Sequence, residues 1–515
     1  MKVLIICTEK LPVPPILGGA IQTYISGSVP SLSKNHDITI LGITDPSLPE
    51  RETVDGINYV RVPGKLVEIY VEGVVDYLKD QSFDLIHVFN RPRLVNPVRE
   101  VLPTTRIVLS MHNDMFKREK IDPEEAKNAI AQLDKIITIS DYIGKALVEL
   151  YPEAAPKLQT IYSGVDLDRF VPSYTEKGKR IREAVRKEHG LEGKKVILFA
   201  GRLSANKGAD VLVRAIPLLE REHSDIALVL VGSKWFSQND ITDYIAYVRA
   251  LSERIKTPVV TTGFVSPDEI QNWFIASDIF VCPSQWQEPL ARVHYEAMAA
   301  GLPIVTTARG GNAEVIEVNK NGFVIENPEN PQEFANYLSQ LLSSQSLRID
   351  LGKYGRKLAE EKYSWDRVVS DISSVWAEME EKIKNNIQIG TDRLEVEERE
   401  IDEVELELEL VEPVVSEETD EFIDKVELEN ETEDTEDTED TEDTEKVEAV
   451  KEIEEEENDE EEEEEEAEEE EEEEEEAEEE EEPKRRVYIF ENNPPAKPWL
   501  SMDVEIKIKT KIKIR

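Results

Sequence analysis

Short runs of Val, Ile and Leu alternate with stretches of helical periodicity over more than 300 residues of the chain. A short run that is hydrophobic throughout predicts a strand buried on both faces, and strands that alternate with helices predict a parallel sheet. The runs fall into two series, so we predict two doubly wound domains. The first series comprises residues 3–7, 38–43, 85–89, 107–111, 136–139 and 158–162, and the second comprises residues 196–200, 226–231, 259–262, 279–282, 304–306 and 322–325.

The boundary between the two series lies at a Ser-Gly-Val-Asp segment, residues 163–166. We therefore predict a first domain over residues 1–165 and a second domain over residues 166–364. Residues 365–386 place hydrophobic side chains at helical spacing, which predicts a last helix that packs on the body of the protein.

Charge is concentrated at the end of the chain. The 515 residues carry a net charge of −51, yet residues 1–390 carry only −6. Residues 391–482 hold 56 acidic and five basic side chains, whereas residues 483–515 hold nine basic and three acidic ones. Since like charges repel and bury no hydrophobic surface, we predict a disordered acidic tail at 387–482, followed by a basic terminal segment at 483–515. The near-neutral body excludes a nucleic-acid-binding protein that relies on bulk positive charge.

Cysteine use and hydropathy bear on the compartment. Cys7 and Cys282, the two cysteines of the chain, lie in hydrophobic runs, which is typical of proteins in reducing compartments. The hydrophobic run at the start is shorter than a secretion signal requires, and no segment approaches the ~18 apolar residues needed to span a bilayer. We therefore expect a cytoplasmic protein without a transmembrane segment.

The most informative motif is residues 288–303, Glu-Pro-Leu-Ala-Arg-Val-His-Tyr-Glu-Ala-Met-Ala-Ala-Gly-Leu-Pro. We expect Glu288 in the loop after a strand, Pro289 in the first turn of a helix, and Glu296 two turns into that helix. Ligands of doubly wound folds bind at the carboxyl ends of the strands. There the carboxylates can accept hydrogen bonds from the hydroxyls of a sugar or ribose, and N–H groups at the helix start can hold an anion. Either glutamate alone would more often be a helix cap or a solvated residue, but the complete string favours a binding site.

Two basic residues, Arg202 and Lys207, follow predicted strand 196–200 directly. Arg can fork onto phosphate oxygens and Lys acts as a point charge, so the pair is suited to clamping a diphosphate. The alternative is a pair of solvated loop residues, which their position at the carboxyl end of a strand disfavours. The loop is not a P-loop, because the sequence Gly-x4-Gly-Lys-Ser/Thr does not occur.

Three other loops follow predicted strands. Gly18 and Gly19 either let the backbone approach a phosphate or sugar closely or form a simple tight turn, and the lack of a Gly-x-Gly-x-x-Gly pattern there argues against NAD. His112 follows strand 107–111 and can donate to a sugar hydroxyl. Phe264 can contact a nucleobase, whereas His87, inside a strand, is interpreted as a core residue.

Together these motifs resemble the retaining nucleotide-sugar glycosyltransferases of the GT-B fold, family 4, over residues 1 to about 385. The resemblance implies an α/β architecture of two Rossmann-like, doubly wound parallel-sheet domains. The first would lie on the acceptor side, the second would bind the nucleotide sugar, and the helix that begins at Trp365 would cross back to the first. Within the family, the strings EPLARVHYEAMAAGLPIVTT and GGAIQTYI resemble those of glycosyltransferases of the Bacillus spore coat.

The resemblance also implies a role for each candidate residue. Arg202 and Lys207 would neutralise the donor diphosphate, and Glu296 would hold the ribose hydroxyls. The contacts to the donor sugar would come from His112, from Glu288 and from the backbone N–H groups of Leu290, Ala291 and Arg292. Many relatives have Phe-Gly after the first glutamate where this chain has Pro-Leu-Ala, which leaves the donor sugar open.

The activity implied is transfer of a sugar, with retention, from a UDP- or GDP-sugar to a hydroxyl of a glycan or of a spore-coat or envelope polysaccharide. Because two cations can stabilise the leaving diphosphate, we expect the reaction to use neither a metal nor another cofactor. Two alternatives stay open. The body could be an idle scaffold in a coat whose acidic tail binds cations or basic coat proteins, or the enzyme could be a GT-B phosphorylase or epimerase. No nucleic-acid partner is expected, and the spore coat is an alternative location to the cytoplasm.

Overall fold

The computed structural model describes residues 1–234 and 241–389. From residue 390 onward, the predicted acidic tail and the basic segment at 483–515 lie outside the described residues. The described part contains one eight-stranded and one six-stranded sheet, so the prediction of two doubly wound α/β domains is confirmed.

The first domain is built on the eight-stranded sheet. Its strands are β1 (Lys2–Ile6), β2 (Asp37–Ile43), β3 (Arg51–Val54), β4 (Ile57–Val62), β5 (Leu85–Phe89), β6 (Arg106–Met111), β7 (Lys135–Thr138) and β8 (Leu158–Thr160). Its helices are α1 (Ala20–Leu32), α2 (Val67–Leu78), α3 (Val95–Val101), α4 (Pro123–Gln132) and α5 (Asp141–Leu150). The strand order is β3-β4-β2-β1-β5-β6-β7-β8, and neighbours are parallel except for β3 with β4.

The second domain is built on the six-stranded, fully parallel sheet. Its strands are β9 (Lys195–Ala200), β10 (Ile226–Val231), β11 (Val259–Thr261), β12 (Ile279–Cys282), β13 (Ile304–Thr307) and β14 (Gly322–Ile325). Its helices are α6 (Glu176–Glu188), α7 (Ala209–Leu219), α8 (Asp243–Glu253), α9 (Ile270–Ala276), α10 (Val293–Ala299), α11 (Pro331–Ser343) and α12 (Gln345–Lys362). The strand order is β11-β10-β9-β12-β13-β14.

A hairpin at one edge of the first sheet is absent from the predicted strands. β3 and β4 are antiparallel and joined by Asp55 and Gly56, whose φ angles are 51° and 81°. Positive φ at both turn residues is typical of the two-residue hairpin turns that Asp-Gly favours. The two strands were not predicted because β3 is mostly exposed and β4 is only half-buried, so neither is a continuous hydrophobic run, although the Asp-Gly pair was a readable signal.

The last helix, α13 (Trp365–Lys384), crosses back to the first domain as predicted. Its buried side chains belong to the same hydrophobic cluster as β1 and β5. The largest of them, Trp376, is fully buried and donates its indole N–H to Nδ1 of His87 at 3.3 Å. The chain reaches α13 through a crossing point at which the N–H of Val165 donates to the carbonyl oxygen of Tyr363 at 2.9 Å.

Replacing Gly27 by alanine is expected to lower the free energy of unfolding by about 1–3 kcal/mol, the usual cost of overpacking. A Cβ on Gly27, inside α1, would lie 2.3 Å from Cε2 of Trp365 at the start of α13. Gly355, inside α12, is the matched control, because a Cβ there would approach Cγ of Met298 only to 3.4 Å. Urea unfolding of both variants tests this, and an equal effect of Gly27→Ala and Gly355→Ala would contradict it.

Candidate active site

Two neighbouring strands of the second sheet bring Lys207 and Glu288 together. β9 and β12 are paired in parallel, so the loops that follow them leave the same edge of the sheet. Nζ of Lys207 lies 2.9 and 2.8 Å from the two carboxylate oxygens of Glu288. The same carboxylate accepts hydrogen bonds from Oγ of Ser284 at 3.0 Å and from the indole N–H of Trp286 at 2.9 Å. The lysine and glutamate side chains are only 16% and 9% exposed, so this is a largely buried ion pair whose carboxylate accepts hydrogen bonds from three side chains.

The surroundings of Glu288 keep it charged. Burial raises the pKa of its carboxyl, but the charge of Lys207 and the hydrogen bonds from Lys207, Ser284 and Trp286 outweigh burial, and the pKa lies below its ordinary value. The Lys207 ammonium also lies 5.0 Å from the centroid of the Trp286 ring, where the π-electrons attract a cation. The Glu288 carboxylate is therefore ionised at neutral pH.

The loop that carries Lys207 is locked against the loop after β12. Gly208 has a φ of 66°, and a Cβ there would lie 2.2 Å from the carbonyl oxygen of Pro283, so the contact requires glycine. The carbonyl oxygen of Asn206 accepts a hydrogen bond from the N–H of Gln285 at 2.7 Å. These contacts fix the ammonium group beside its carboxylate partner through the backbone.

Arg202 and Phe264 lie on two further loops at this edge. The N–H of Leu203, next to Arg202, donates to the loop after β10 at 2.9 Å. That loop in turn bridges to the loop after β11 through Gly232 and Gly263, directly before Phe264. The half-buried side chains of Arg202 and Phe264 thus lie at the same carboxyl edge of the sheet as the ion pair. The contact of Arg202 with a diphosphate and that of Phe264 with a nucleobase stay predictions.

The helix that carries Glu296 begins later than predicted. α10 spans Val293–Ala299, so the placement of Pro289 in its first turn was wrong. Pro289 and the buried Leu290 lie in the preceding loop. Glu296 consequently lies in the first turn of the helix, rather than two turns in.

A loop after β13 explains the late start, because it holds residues 288–291 in place. The N–H of Gly311 donates to the carbonyl oxygen of Glu288 at 2.8 Å, and a Cβ on Gly310 would lie 2.0 Å from that oxygen. The N–H of Ala291 donates to Oδ1 of Asn312 at 3.1 Å. In this structure the Ala291 N–H, predicted to contact the donor sugar, is therefore already hydrogen-bonded within the protein, a partner that could not be read from the motif itself.

The side chain of Arg292 lies at the junction of the two domains. Its Nη1 donates to Oγ of Ser163 at 2.9 Å, its guanidinium lies 5.7 Å from the centroid of the Trp365 ring, and its Nη2 lies 3.8 Å from a carboxylate oxygen of Glu296. Burial raises the pKa of Glu296, and the charges of Arg292 and Arg169 only partly offset it. Arg292 was predicted to act through its backbone, whereas the structure shows its side chain between Ser163, in the boundary segment 163–166, and Glu296.

His112 is held by the backbone at the carboxyl end of β6. The N–H groups of His112 and Asn113 both donate to Oδ1 of Asn90, at 3.0 and 2.9 Å. The ring contacts Tyr24 edge-on at a centroid distance of 4.8 Å. Burial, reinforced by the positive charge of Arg292, lowers the pKa of His112 to about 3. The imidazole is therefore neutral at pH 7, and it lies within electrostatic reach of the second domain.

The two glycines after β1 form a turn that packs on a buried glutamine. Gly18 and Gly19 have φ angles of 105° and 102°, which glycine adopts without strain. A Cβ on Gly19 would lie 2.2 Å from Oε1 of Gln22, whose amide donates to the carbonyl oxygen of Leu11 at 3.1 Å and to Oγ1 of Thr8 at 3.2 Å. Packing alone accounts for Gly19, and a contact of the pair with phosphate or sugar stays a prediction.

A buried ion pair at the carboxyl ends of two central strands of the first sheet was not predicted. Nε of Arg91 lies 2.5 Å from Oε2 of Glu9, and Nη2 contacts the other oxygen. Burial raises the pKa of Glu9, but the charge and hydrogen bonds of Arg91 outweigh it. Both residues closely follow paired strands, β1 and β5, and that was the available signal.

Three partners of the 288–291 segment were also missed. Ser284 and Trp286 lie within four residues of Glu288, so proximity in the sequence could have suggested them. Asn312 comes from a loop more than 20 residues away, and its signal is the preceding Gly310-Gly311 pair after a predicted strand.

No helix in residues 1–234 or 241–389 is long and apolar enough to cross a bilayer. In the same ranges, no three His, Cys, Asp or Glu side chains gather into a set that could hold a metal ion.

Comparison with known proteins assigns the chain to a family. Residues 181–358 match the family described as glycosyl transferases group 1, and residues 21–169 match glycosyltransferase family 4. Spore coat protein SA of Bacillus subtilis (strain 168) is 46% identical over 376 residues, which cover 73% of this chain and 99% of that protein. The putative glycosyltransferase YtcC of the same organism is 43% identical over 376 residues, covering 73% of this chain and 92% of that protein.

Solved structures agree on the fold. The Anabaena protein Alr3699/HepE, solved in complex with UDP and glucose, superposes with a TM-score of 0.60 at 20% identity, over 73% of this chain and 99% of that protein. With two parallel-sheet domains, a helix that crosses back, and relatives that match over nearly their whole length, this chain belongs to the GT-B glycosyltransferases of family 4.

Proposed function

We propose that this glycosyltransferase moves a sugar from a nucleoside-diphosphate sugar to an acceptor hydroxyl, with retention and without a metal ion. The observation that carries the proposal is the buried Lys207–Glu288 pair at the carboxyl edge of β9 and β12. It sets a cation suited to phosphate beside a carboxylate suited to hydroxyls. Alr3699/HepE was solved with UDP and with UDP-glucose, which supports a uridine nucleotide as one candidate for the donor.

In this proposal the chemistry depends on charge stabilisation. The bond from the anomeric carbon to the diphosphate oxygen breaks, its electron pair stays on the diphosphate, and Arg202 and Lys207 stabilise the negative charge that develops there. The acceptor hydroxyl forms the new bond on the same face, and its proton goes to a phosphate oxygen. An ammonium has three N–H donors, so Lys207 can bind a phosphate oxygen while it stays bonded to Glu288.

The acceptor we propose is a hydroxyl of a coat or envelope polysaccharide. The support is the relative named spore coat protein SA. The same name also supports one alternative function. In that alternative the chain is an idle coat component, located in the spore coat, whose acidic tail binds cations or basic coat proteins.

A screen of UDP- and GDP-sugars for thermal stabilisation of the full chain separates these functions. One nucleotide sugar should raise the melting temperature at concentrations well above its Kd, because a ligand at 100 times Kd stabilises the folded state by about 2.7 kcal/mol. The protein should also release the nucleoside diphosphate from the nucleotide sugar that stabilises it. If none of the donors stabilises the protein, the transferase proposal fails and the idle scaffold is favoured.

His112 is expected to act as a neutral group in transfer. Because its pKa is lowered to about 3, turnover should show no protonation step from His112 between pH 6 and 8. His112→Gln, which keeps a hydrogen-bond donor, should retain at least about ten times the turnover of His112→Ala, since one such bond to a developing charge contributes about 1.4 kcal/mol or more. Equal losses in both variants, or a step near pH 6.5 that vanishes in His112→Gln, would contradict this role.

A further inference from the structure

Glu314, in the second domain, is hydrogen-bonded to three groups of the first domain. Its carboxylate accepts the backbone N–H of Asp141 at 2.8 Å and that of Tyr142 at 2.7 Å. It also accepts the phenolic O–H of Tyr162 at 3.0 Å. Glu314 thereby links the first two residues of α5, and Tyr162 just before the boundary segment 163–166, to the other domain.

The contact is chemically strong because it lies at a helix start. The first N–H groups of a helix have no partner within the helix, and they form its positive pole. In α5, Oγ of Ser140 caps the N–H of Ile143, while Asp141 and Tyr142 donate to Glu314. A carboxylate from one domain thus completes the cap of a helix in the other.

Glu314 is also coupled to the segment that positions Glu288. The short 3-10 turn that carries Glu314 begins at Asn312 and follows Gly311 directly, and the N–H of Gly311 donates to the carbonyl oxygen of Glu288. A Cβ on Gly311 would lie 2.3 Å from the carbonyl oxygen of Pro289 and 2.9 Å from Cβ of Ser140. The backbone of this loop is therefore pressed between the Glu288 segment on one side and the cap of α5 on the other.

We propose that Glu314 is a positioning residue that fixes the two domains at the spacing transfer requires. It would hold His112 of the first domain against the donor sugar that Glu288 binds in the second. The catalytic part of this inference rests on the proposed function, whereas the effect on domain spacing does not.

The kinetic test compares Glu314→Ala with two matched variants. Turnover of UDP-glucose by Glu314→Ala should fall at least about tenfold while the Kd for UDP, whose predicted side-chain contacts are all in the second domain, stays within about twofold. Glu314→Gln, which keeps one oxygen acceptor, should fall less. Glu317→Ala is the control, because Glu317 accepts hydrogen bonds from Tyr354, Lys320 and Lys362, all within the second domain, and its turnover should match the wild type. Equal losses in Glu314→Ala and Glu317→Ala would overturn the proposal.

A distance measurement tests the domain spacing without any activity. Asp76 and Lys357 are exposed residues of the first and second domains, with 71% and 62% of their side chains accessible, so Asp76→Cys and Lys357→Cys can carry spin labels while the buried Cys7 and Cys282 stay unlabelled. Pulsed electron resonance on the full chain should give a broader distance distribution in Glu314→Ala than in the wild type. An unchanged distribution would overturn the proposal. If the wild type turned over no nucleotide sugar, only the proposed function would fail, and this measurement would still decide the role of Glu314.

Discussion

Replacing Lys207 by methionine is expected to lower turnover at least about 100-fold, the effect of removing one group that stabilises charge in the transition state. It should also lower the free energy of unfolding by about 3–5 kcal/mol, because Glu288 would be left as a buried charge without its cation. The two losses have different origins. The first follows from the missing contact with the donor diphosphate, and the second from the missing contact with Glu288, 2.8 Å away.

A double variant separates the two origins. In Lys207→Met/Glu288→Gln both charges are absent, so the free energy of unfolding should return to within about 2 kcal/mol of the wild-type value. Turnover should stay at least about 100-fold below that of the wild type. Lys195→Met is the matched control at the other end of β9, because Lys195 pairs with the exposed Asp225, a pair expected to contribute at most about 1 kcal/mol. Recovery of turnover in the double variant, measured by release of the nucleoside diphosphate, would contradict the role of Lys207.

Acid is expected to destabilise the protein well before its carboxylates titrate, with the free energy of unfolding falling by about 3–6 kcal/mol between pH 7 and pH 5. Burial lowers the pKa of His87 and of His112 to about 3 and that of His294 to about 4. An unfolded histidine titrates near pH 6.5. Between these values the unfolded chain binds three protons that the folded chain does not. The stability is therefore complete above about pH 6.5 and is lost as the pH falls.

His87→Gln gives a direct check of that pH dependence. Both ring nitrogens of His87 are engaged, Nε2 with Oγ of Ser110 at 2.7 Å and Nδ1 with the indole N–H of Trp376 at 3.3 Å, so its protonation would break a contact. Urea unfolding at pH 7 and at pH 5 should show a decrease about 1–2 kcal/mol smaller in the variant than in the wild type. Glu296, whose pKa burial raises, acts in the opposite sense in both proteins. Equal decreases in the two proteins would contradict the account.

The strands of both domains could be predicted because a strand buried on both faces must be hydrophobic throughout. β5, β10, β12 and β14 match their predicted runs to the residue, and the other predicted strands differ by a residue or two at one or both ends. The hairpin of β3 and β4 was missed because an exposed edge strand needs no such run. The start of α10 was predicted too early. Hydrogen bonds from a loop far along the chain hold residues 288–291 outside the helix, and a local sequence pattern cannot show these bonds.

In the candidate site, too, the positions of residues could be predicted from the sequence, whereas their contacts could not. Arg202, Lys207 and Glu288 could be proposed from the sequence because each follows a strand, and parallel strands bring the loops at their carboxyl ends together. The ion pair between Lys207 and Glu288 could not be predicted, since it depends on the conformations of the two loops that carry them. The role of Glu314 depends on how two domains meet, which no single segment encodes.

The most direct test of the central claim is a crystal structure of the full chain with the nucleotide sugar that stabilises it. We expect the diphosphate at the carboxyl end of β9, with its oxygens within hydrogen-bonding distance of Arg202 and Lys207, and the sugar hydroxyls on Glu288. A donor bound elsewhere, with Lys207 still paired to Glu288 alone, would contradict the claim.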